Sequence, residues 1–136
     1  MARKKIEYKA YNKMPKYISK KFPVLFDGMY FTVSETDYLF IAWIGDVPIG
    51  GIYGSIEGFK MVKGELRPEV FVNKFEIIED ERGKGYGTRM FEFLVKKYNP
   101  LLVNLYALDD DALRFWRKLG FRRESKNDTI LIKKFK

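Results

Sequence analysis

Three glycines fall within five residues in the run Arg82-Gly83-Lys84-Gly85-Tyr86-Gly87-Thr88, and the sequence pattern changes character across it. Residues 70–78 are rich in strand-forming side chains and end in the acidic cluster Glu79, Asp80 and Glu81. After the glycines, Met90, Phe91, Leu94, Val95 and Tyr98 recur at helical spacing, which predicts a helix over 85–98 with Pro100 beyond its end. Residues 101–108 are nearly continuously apolar, as in a strand covered on both faces. A strand, a glycine loop, a helix and a buried strand in that order demand a sheet with a helix laid across it. Glycines at such a junction admit positive φ and let a ligand approach the backbone. The first N–H groups of the helix lack partners and carry the positive end of its dipole, so the junction suits a phosphate. Arg82, Lys84 and Arg89 place full positive charges around it.

The remaining elements extend that unit. Ile6, Tyr8 and Ala10 alternate with charged residues and predict a short strand over 5–10. Met14, Tyr17, Ile18 and Phe22 are spaced for an amphipathic helix over 13–22, with Pro15 in its first turn. Residues 23–36 carry no decisive pattern. Residues 38–44 are uncharged and β-rich, Gly45-Asp46 breaks them, and residues 49–56 resume, which predicts a hairpin. Residues 58–68 are expected to form a loop. Asp109 and Asp110 offer caps for a helix with the stripe Ala112, Phe115, Trp116 and Leu119, closed by Gly120. Residues 121–124 and 129–135 are expected to pair around Lys126-Asn127-Asp128. The order β, α, several strands, then α, β, α, β, β predicts an α/β or α+β domain around one mixed sheet. A length of 136 residues fits a single domain over 1–136, and 46% apolar content can fill its core.

Neither cysteine nor histidine occurs in the chain. Thiol nucleophiles, thiolate metal sites, histidine bases and zinc hydrolase chemistry are therefore excluded, and no metal is expected. Carboxylates, lysine, tyrosine, hydroxyls, backbone groups and water remain as the chemical repertoire. No apolar run reaches the roughly 20 residues of a membrane span, and the charged first residues lack the apolar stretch of a signal peptide, so a cytoplasmic location without membrane partners is expected. Residues 1–21 hold eight basic side chains against Glu7, a net of +7 out of +8 for the whole chain. This segment is either a solvated face or a footprint for an anionic partner, nucleic acid or a phosphorylated cofactor.

The glycine loop does not match the P-loop pattern, because no glycine precedes Gly83-Lys84 at the required spacing. The dinucleotide pattern G-x-G-x-x-G also fails, ending at Thr88 or Met90. The loop does fit R-x-x-G-x-G, with Arg82, Gly85 and Gly87 at the fixed positions. That run resembles the pyrophosphate-binding motif of the GNAT acyltransferases. Ala112-Leu-Arg-Phe-Trp-Arg-Lys-Leu-Gly-Phe121 resembles the same family's A-x-x-F-[YF]-x-x-x-G-F helix. The resemblance covers residues 70–135 well and 38–56 loosely.

The resemblance implies a GNAT-type, mostly antiparallel sheet flanked by helices. In it the strand ending at residue 78 splays from the strand at 101–108 to form the acyl-CoA cleft. It further implies that the backbone of Phe75 and Ile77 pairs with the pantetheine arm of acetyl-CoA, and that Arg82, Gly83, Lys84, Gly85, Tyr86, Gly87 and Thr88 cradle the pyrophosphate. Asp109, Ala112 and Phe115 belong to the implied cofactor set as well. The reaction implied is direct attack of a primary amine on acetyl-CoA in a ternary complex, with Ile77 polarising the carbonyl and no covalent intermediate.

The sequence departs from the family where many relatives carry an acidic tyrosine, because Trp116 stands there and an indole cannot protonate a thiolate. Core packing is the expected role of Trp116. Asp109 stands where an asparagine is common. The positions that face the acceptor in some relatives are Phe71 and Asn73 in this sequence, and neither side chain can take a proton. Glu69 and Glu76 are nearby carboxylates, and Tyr30, Tyr53 and Tyr106 are phenols for a cleft wall. Glu76, Tyr106 and Asn73 are the catalytic candidates, and the base and acid stay open. The expected partners are acetyl-CoA and an amine acceptor, small molecule or protein, with nucleic acid through the basic N-terminal segment. The assembly is a monomer, or a homodimer paired through the β-rich C-terminal edge. A non-catalytic acyl-CoA-binding module and a nucleic-acid-binding protein are the alternative functions.

Overall fold

The computed structural model describes residues 4–22, 33–107, 109–124 and 129–136. Its strands are β1 (Glu7–Ala10), β2 (Asp37–Ile44), β3 (Val47–Val62), β4 (Glu65–Ile77), β5 (Leu102–Tyr106), β6 (Arg122–Arg123) and β7 (Ile130–Lys134). They form one seven-stranded sheet in the order β1-β2-β3-β4-β5-β7-β6. Every neighbouring pair is antiparallel except β4 and β5. A parallel pair needs a crossover, and helix α2 (Tyr86–Tyr98) supplies it. With α1 (Lys16–Ser19) and α3 (Asp110–Lys118), the described residues form the expected mixed α+β architecture.

Hydrophobic alternation along the strands feeds a core on each side of the sheet. On one face Phe40, Ile52, Val70, Val72, Val103 and Leu105 pack under Met90, Phe91 and Leu94 of α2 and Trp116 of α3. Burying side chains such as Met90 and Leu94 completely contributes about 1.5–3 kcal/mol each. On the other face Leu39, Ile41 and Trp43 meet Met14, Ile18 and Phe22 around α1. The helix expected over 13–22 keeps this inward stripe but is helical only from Lys16 to Ser19. Pro15 is its N-cap in extended conformation (φ −67°, ψ 138°), so the chain before it is not helical. Tyr17, expected on the stripe, points outward instead.

The loop expected over 58–68 does not exist. β3 and β4 stay paired out to Val62 and Glu65, and a two-residue turn closes the hairpin at Lys63 (φ 50°) and Gly64 (φ 83°). Two positive φ values in succession match the right-handed twist of a hairpin. Gly58, Gly64 and Pro68 imitate a loop in the sequence, and only the cross-strand partner shows that Phe59, Met61 and Leu66 continue the ladder. β4 accordingly begins at Glu65 rather than at residue 70. At the C-terminal edge, Arg122 and Arg123 pair with Ile132 and Leu131; the turn at 126–128 and Tyr30 lie outside the described residues.

One clamp crosses three strands. Gly54 stands opposite Val72, whereas Tyr53 stands opposite Lys74, so Asn73 is an extra residue bulging from β4. Beside this bulge the Tyr38 hydroxyl reaches from β2 over Gly54 and donates to the Phe71 carbonyl at 2.9 Å. Burial holds the Tyr38 phenol well above its ordinary pKa of 10.0, with the nearby Tyr98 adding to the effect. The folded protein therefore holds this proton more tightly than the unfolded chain, and stability present below pH 10 is lost as pH rises beyond it. Denaturant titrations across that range should show a shallower alkaline loss for Tyr38→Phe. At neutral pH the variant should cost about 1 kcal/mol for the unmade bond. Equal alkaline slopes would contradict the assignment.

Candidate functional site

β4 and β5 pair only from Glu69–Leu102 to Val72–Leu105, and beyond the Asn73 bulge they part. The direction of the backbone past that point follows from one hydrogen bond. Ile78 N–H donates to Ile49 O at 2.9 Å, flanking the Gly50–Ile77 pair. Such a bond belongs to a wide antiparallel pair, whose members turn their own N–H and C=O away from each other. The peptide groups of Ile77, and of Phe75 two residues earlier in unbroken register, therefore face away from β3 into the wedge that β5 has vacated. Arg82 Nε donates to the Ile77 carbonyl at 2.8 Å, and its guanidinium lies 3.7 Å from the Glu76 carboxylate, whose side chain is 4% exposed.

The glycine run sits at the end of this wedge. A 3-10 turn (Glu79–Glu81) leads to Arg82, and both Gly83 (φ 80°) and Gly85 (φ 83°) adopt left-handed conformations. Nothing lies within 4 Å of where a Cβ on either would stand, so the loop presents bare backbone to open space. Gly85 caps α2 without a side chain, which leaves the first-turn amides, including those of Gly87 and Thr88, without a capping oxygen. Gly87 has a different role: a Cβ there would meet Phe115 at 3.2 Å and Phe75 at 3.5 Å, so glycine lets α2 approach α3 and β4. Tyr86 turns its ring into the core. Lys84 pairs with Glu81 at 3.0 Å, and that hydrogen bond and its charge raise the Lys84 ammonium above its ordinary value. Arg89 donates to Lys4 O at 3.0 Å and covers the Tyr86 ring.

Asp109 caps α3 as the sequence predicts, its Oδ1 accepting from Ala112 N–H at 2.8 Å. Ala112 and Phe115 are half-buried on the side of α3 toward β4, where the Phe75 and Phe115 rings lie 5.5 Å apart. Trp116 is core, 4% exposed and edge-packed on Phe75, Phe91, Phe115 and Phe121. The catalytic candidates separate. Glu76 lies beside the wedge and is buried, Asn73 is the exposed bulge, and Tyr106 is exposed against Phe71 at the end of β5. Glu69 is paired with Lys60, and the Tyr53 hydroxyl donates to Asp37. Among the described residues no group of acidic side chains is arranged to hold a metal ion. Sequence reasoning missed the Arg82–Ile77 contact and the Tyr38 clamp. For the clamp a signal existed, because an isolated glycine within a strand marks a close approach.

Comparison with known proteins agrees with this geometry. The family model described as Acetyltransferase (GNAT) family matches residues 7–121. No curated protein matches the sequence. Among solved structures, an acetyltransferase from Thermus thermophilus superposes with a TM-score of 0.62 at 18% identity, covering 76% of this chain and 67% of that one. The KacTA–DNA complex gives 0.60 at 19% identity, covering 74% and 69%. Arabidopsis thaliana Naa50 in complex with the bisubstrate analogue CoA-Ac-MVNAL gives 0.53 at 18% identity, covering 71% and 72%. At these identities the structures share the fold. A family match spanning most of the chain, on a sheet with this wedge and glycine loop, makes the protein a member of the GNAT acetyltransferase family.

Proposed function

We propose that the protein transfers the acetyl group of acetyl-CoA to a primary amine by direct attack. The observation that carries this reading is the wedge after Val72–Leu105, with the Phe75 and Ile77 peptides turned into it and the Gly83–Gly85 backbone at its end. The pantetheine arm pairs with those peptides as an added strand. The pyrophosphate rests on amides from Gly83 to Thr88 at the α2 N-terminus, and Asp109, Ala112 and Phe115 border the cofactor on α3. Bound cofactor competes for the Ile77 peptide, so Arg82 leaves the Ile77 carbonyl and turns its charge toward the phosphates.

The amine nitrogen bonds to the thioester carbonyl carbon, the C–S bond breaks, and CoA leaves as thiolate. Ile77 N–H stabilises the oxygen on which charge develops. Glu76 takes the proton released by the amine, directly or through a water, because it is the buried carboxylate beside the wedge and the turn of Arg82 toward the phosphates takes away a cation that would oppose its protonation. The leaving thiolate draws its proton from water or from Tyr106, since Trp116 is sealed in the core.

Thiol release measured over a panel of polyamines, aminoglycosides, amino acids and peptide N-termini tests this reading. Turnover with at least one amine is expected. A protein that binds acetyl-CoA but acetylates none of them would instead be a binding module. With the active acceptor, Glu76→Gln should lower kcat by about 100-fold without weakening acetyl-CoA binding. An unchanged kcat would remove Glu76 from the mechanism.

A further inference from the structure

The backbone of Lys4 reaches Arg89 at the start of α2, but from Lys9 onward the N-terminal lysines lie on the other side of the sheet from the glycine loop. β1 pairs with β2 so that Lys9 stands opposite Ile41 and Glu7 opposite Trp43, and paired residues share a face. That face is the α1 side of the sheet, opposite α2, and Lys9 Nζ sits 5.0 Å from the centre of the Trp43 ring. Around α1, Met14, Ile18 and Phe22 point inward and are at most 1% exposed. Lys13, Lys16, Tyr17, Lys20 and Lys21 are consequently turned out. Residues 4–22 carry seven lysines against Glu7 alone. Tyr17 is 64% exposed in the middle of this positive surface, a large aromatic ring with no role in the core.

We infer that this face binds single-stranded nucleic acid, a site separate from the acetyl-transfer wedge. The exposed lysines concentrate positive charge that a phosphate backbone would neutralise, and the exposed Tyr17 ring among them offers a stacking platform for an unpaired base. A phosphorylated cofactor at the α2 N-terminus lies across the sheet from these side chains. A lipid surface would need apolar residues beside the lysines, but Met14, Ile18 and Phe22 are committed to the core.

The test uses the full chain and a fluorescent oligo-uridine, with heparin and anionic phosphatidylserine vesicles alongside. Oligonucleotide affinity is expected to fall with salt with a logarithmic slope of about −3, for four lysines contacting phosphate. The triple variant Lys13→Glu/Lys20→Glu/Lys21→Glu should abolish this binding and leave acetyl-CoA affinity intact. Tyr17→Ala should weaken oligo-uridine by about tenfold and leave heparin binding unchanged. Because every substituted side chain is exposed, thermal unfolding should not shift. Absence of oligonucleotide binding at low salt, equal loss of heparin binding in Tyr17→Ala, or tighter binding to vesicles would each overturn the proposal. Failure of acetyl-CoA binding in the parent protein would count against the acetyltransfer reading alone.

Discussion

Replacing Gly54 with alanine is expected to destabilise the protein by about 3 kcal/mol and lower its melting midpoint by roughly 10 °C. A Cβ at this position would stand 2.0 Å from the Phe71 carbonyl oxygen and 2.3 Å from the Tyr38 hydroxyl. The first neighbour is backbone, so no rotamer change relieves the overlap. Relief requires β3 to move away from β4, and the Tyr38 hydroxyl must also give way, which leaves the Phe71 carbonyl without its hydrogen bond. Both movements fall at the Asn73 bulge, where β4 parts from β5. The surviving folded fraction should therefore also bind acetyl-CoA more weakly. Gly58→Ala is the control, because no atom lies within 4 Å of its Cβ, and it should change stability by less than about 0.5 kcal/mol. Calorimetric unfolding of the two variants checks this, and similar midpoints would contradict the clamp.

Gly85→Asp is expected to abolish acetyl-CoA binding, with a loss of about 100-fold or more, while the fold persists. The new carboxylate enters open space at the α2 N-terminus, where the proposed pyrophosphate charge would lie. At about 4 Å two like charges near a protein surface repel by roughly 4 kcal/mol before salt screening. The backbone there is left-handed (φ 83°), which costs a side chain about 1–2 kcal/mol. Asp at a helix N-cap offsets part of that by accepting from a first-turn amide. Gly85→Ala separates the two effects, since it carries the strain without the charge. Calorimetric titration should show Gly85→Ala losing far less affinity than Gly85→Asp. Equal losses would assign the effect to backbone strain, and retained binding in a folded Gly85→Asp would put the phosphate elsewhere.

The features legible in the sequence were those made by neighbours along the chain. The glycine loop, the α2 stripe and the Asp109 cap each lie within a few residues of their causes, and the structure reproduces them at Gly83–Gly85, Met90–Leu94 and Ala112 N–H. The splay of β4 from β5 was expected from family resemblance, but its starting point was not. That point depends on register with two other strands, and Asn73 looks like any exposed polar residue until Tyr53 and Gly54 are placed opposite Lys74 and Val72. The hairpin over 58–68 was missed for a related reason, because its pairing partners lie across a turn that needs Lys63 in a positive-φ conformation unusual for lysine. Arg82 illustrates a third kind of gap. Its position in the motif was clear, whereas its contacts to Ile77 O and Glu76 arise only when the loop folds back onto β4.

Titration of the protein with acetyl-CoA in a calorimeter, with CoA and its 3′-dephospho analogue alongside, is the most direct measurement. The wedge and glycine loop predict one saturable site with a dissociation constant between about 1 μM and 1 mM, the range in which enzymes commonly hold their substrates. No heat of binding up to about 1 mM would contradict the assignment of the wedge to acetyl-CoA.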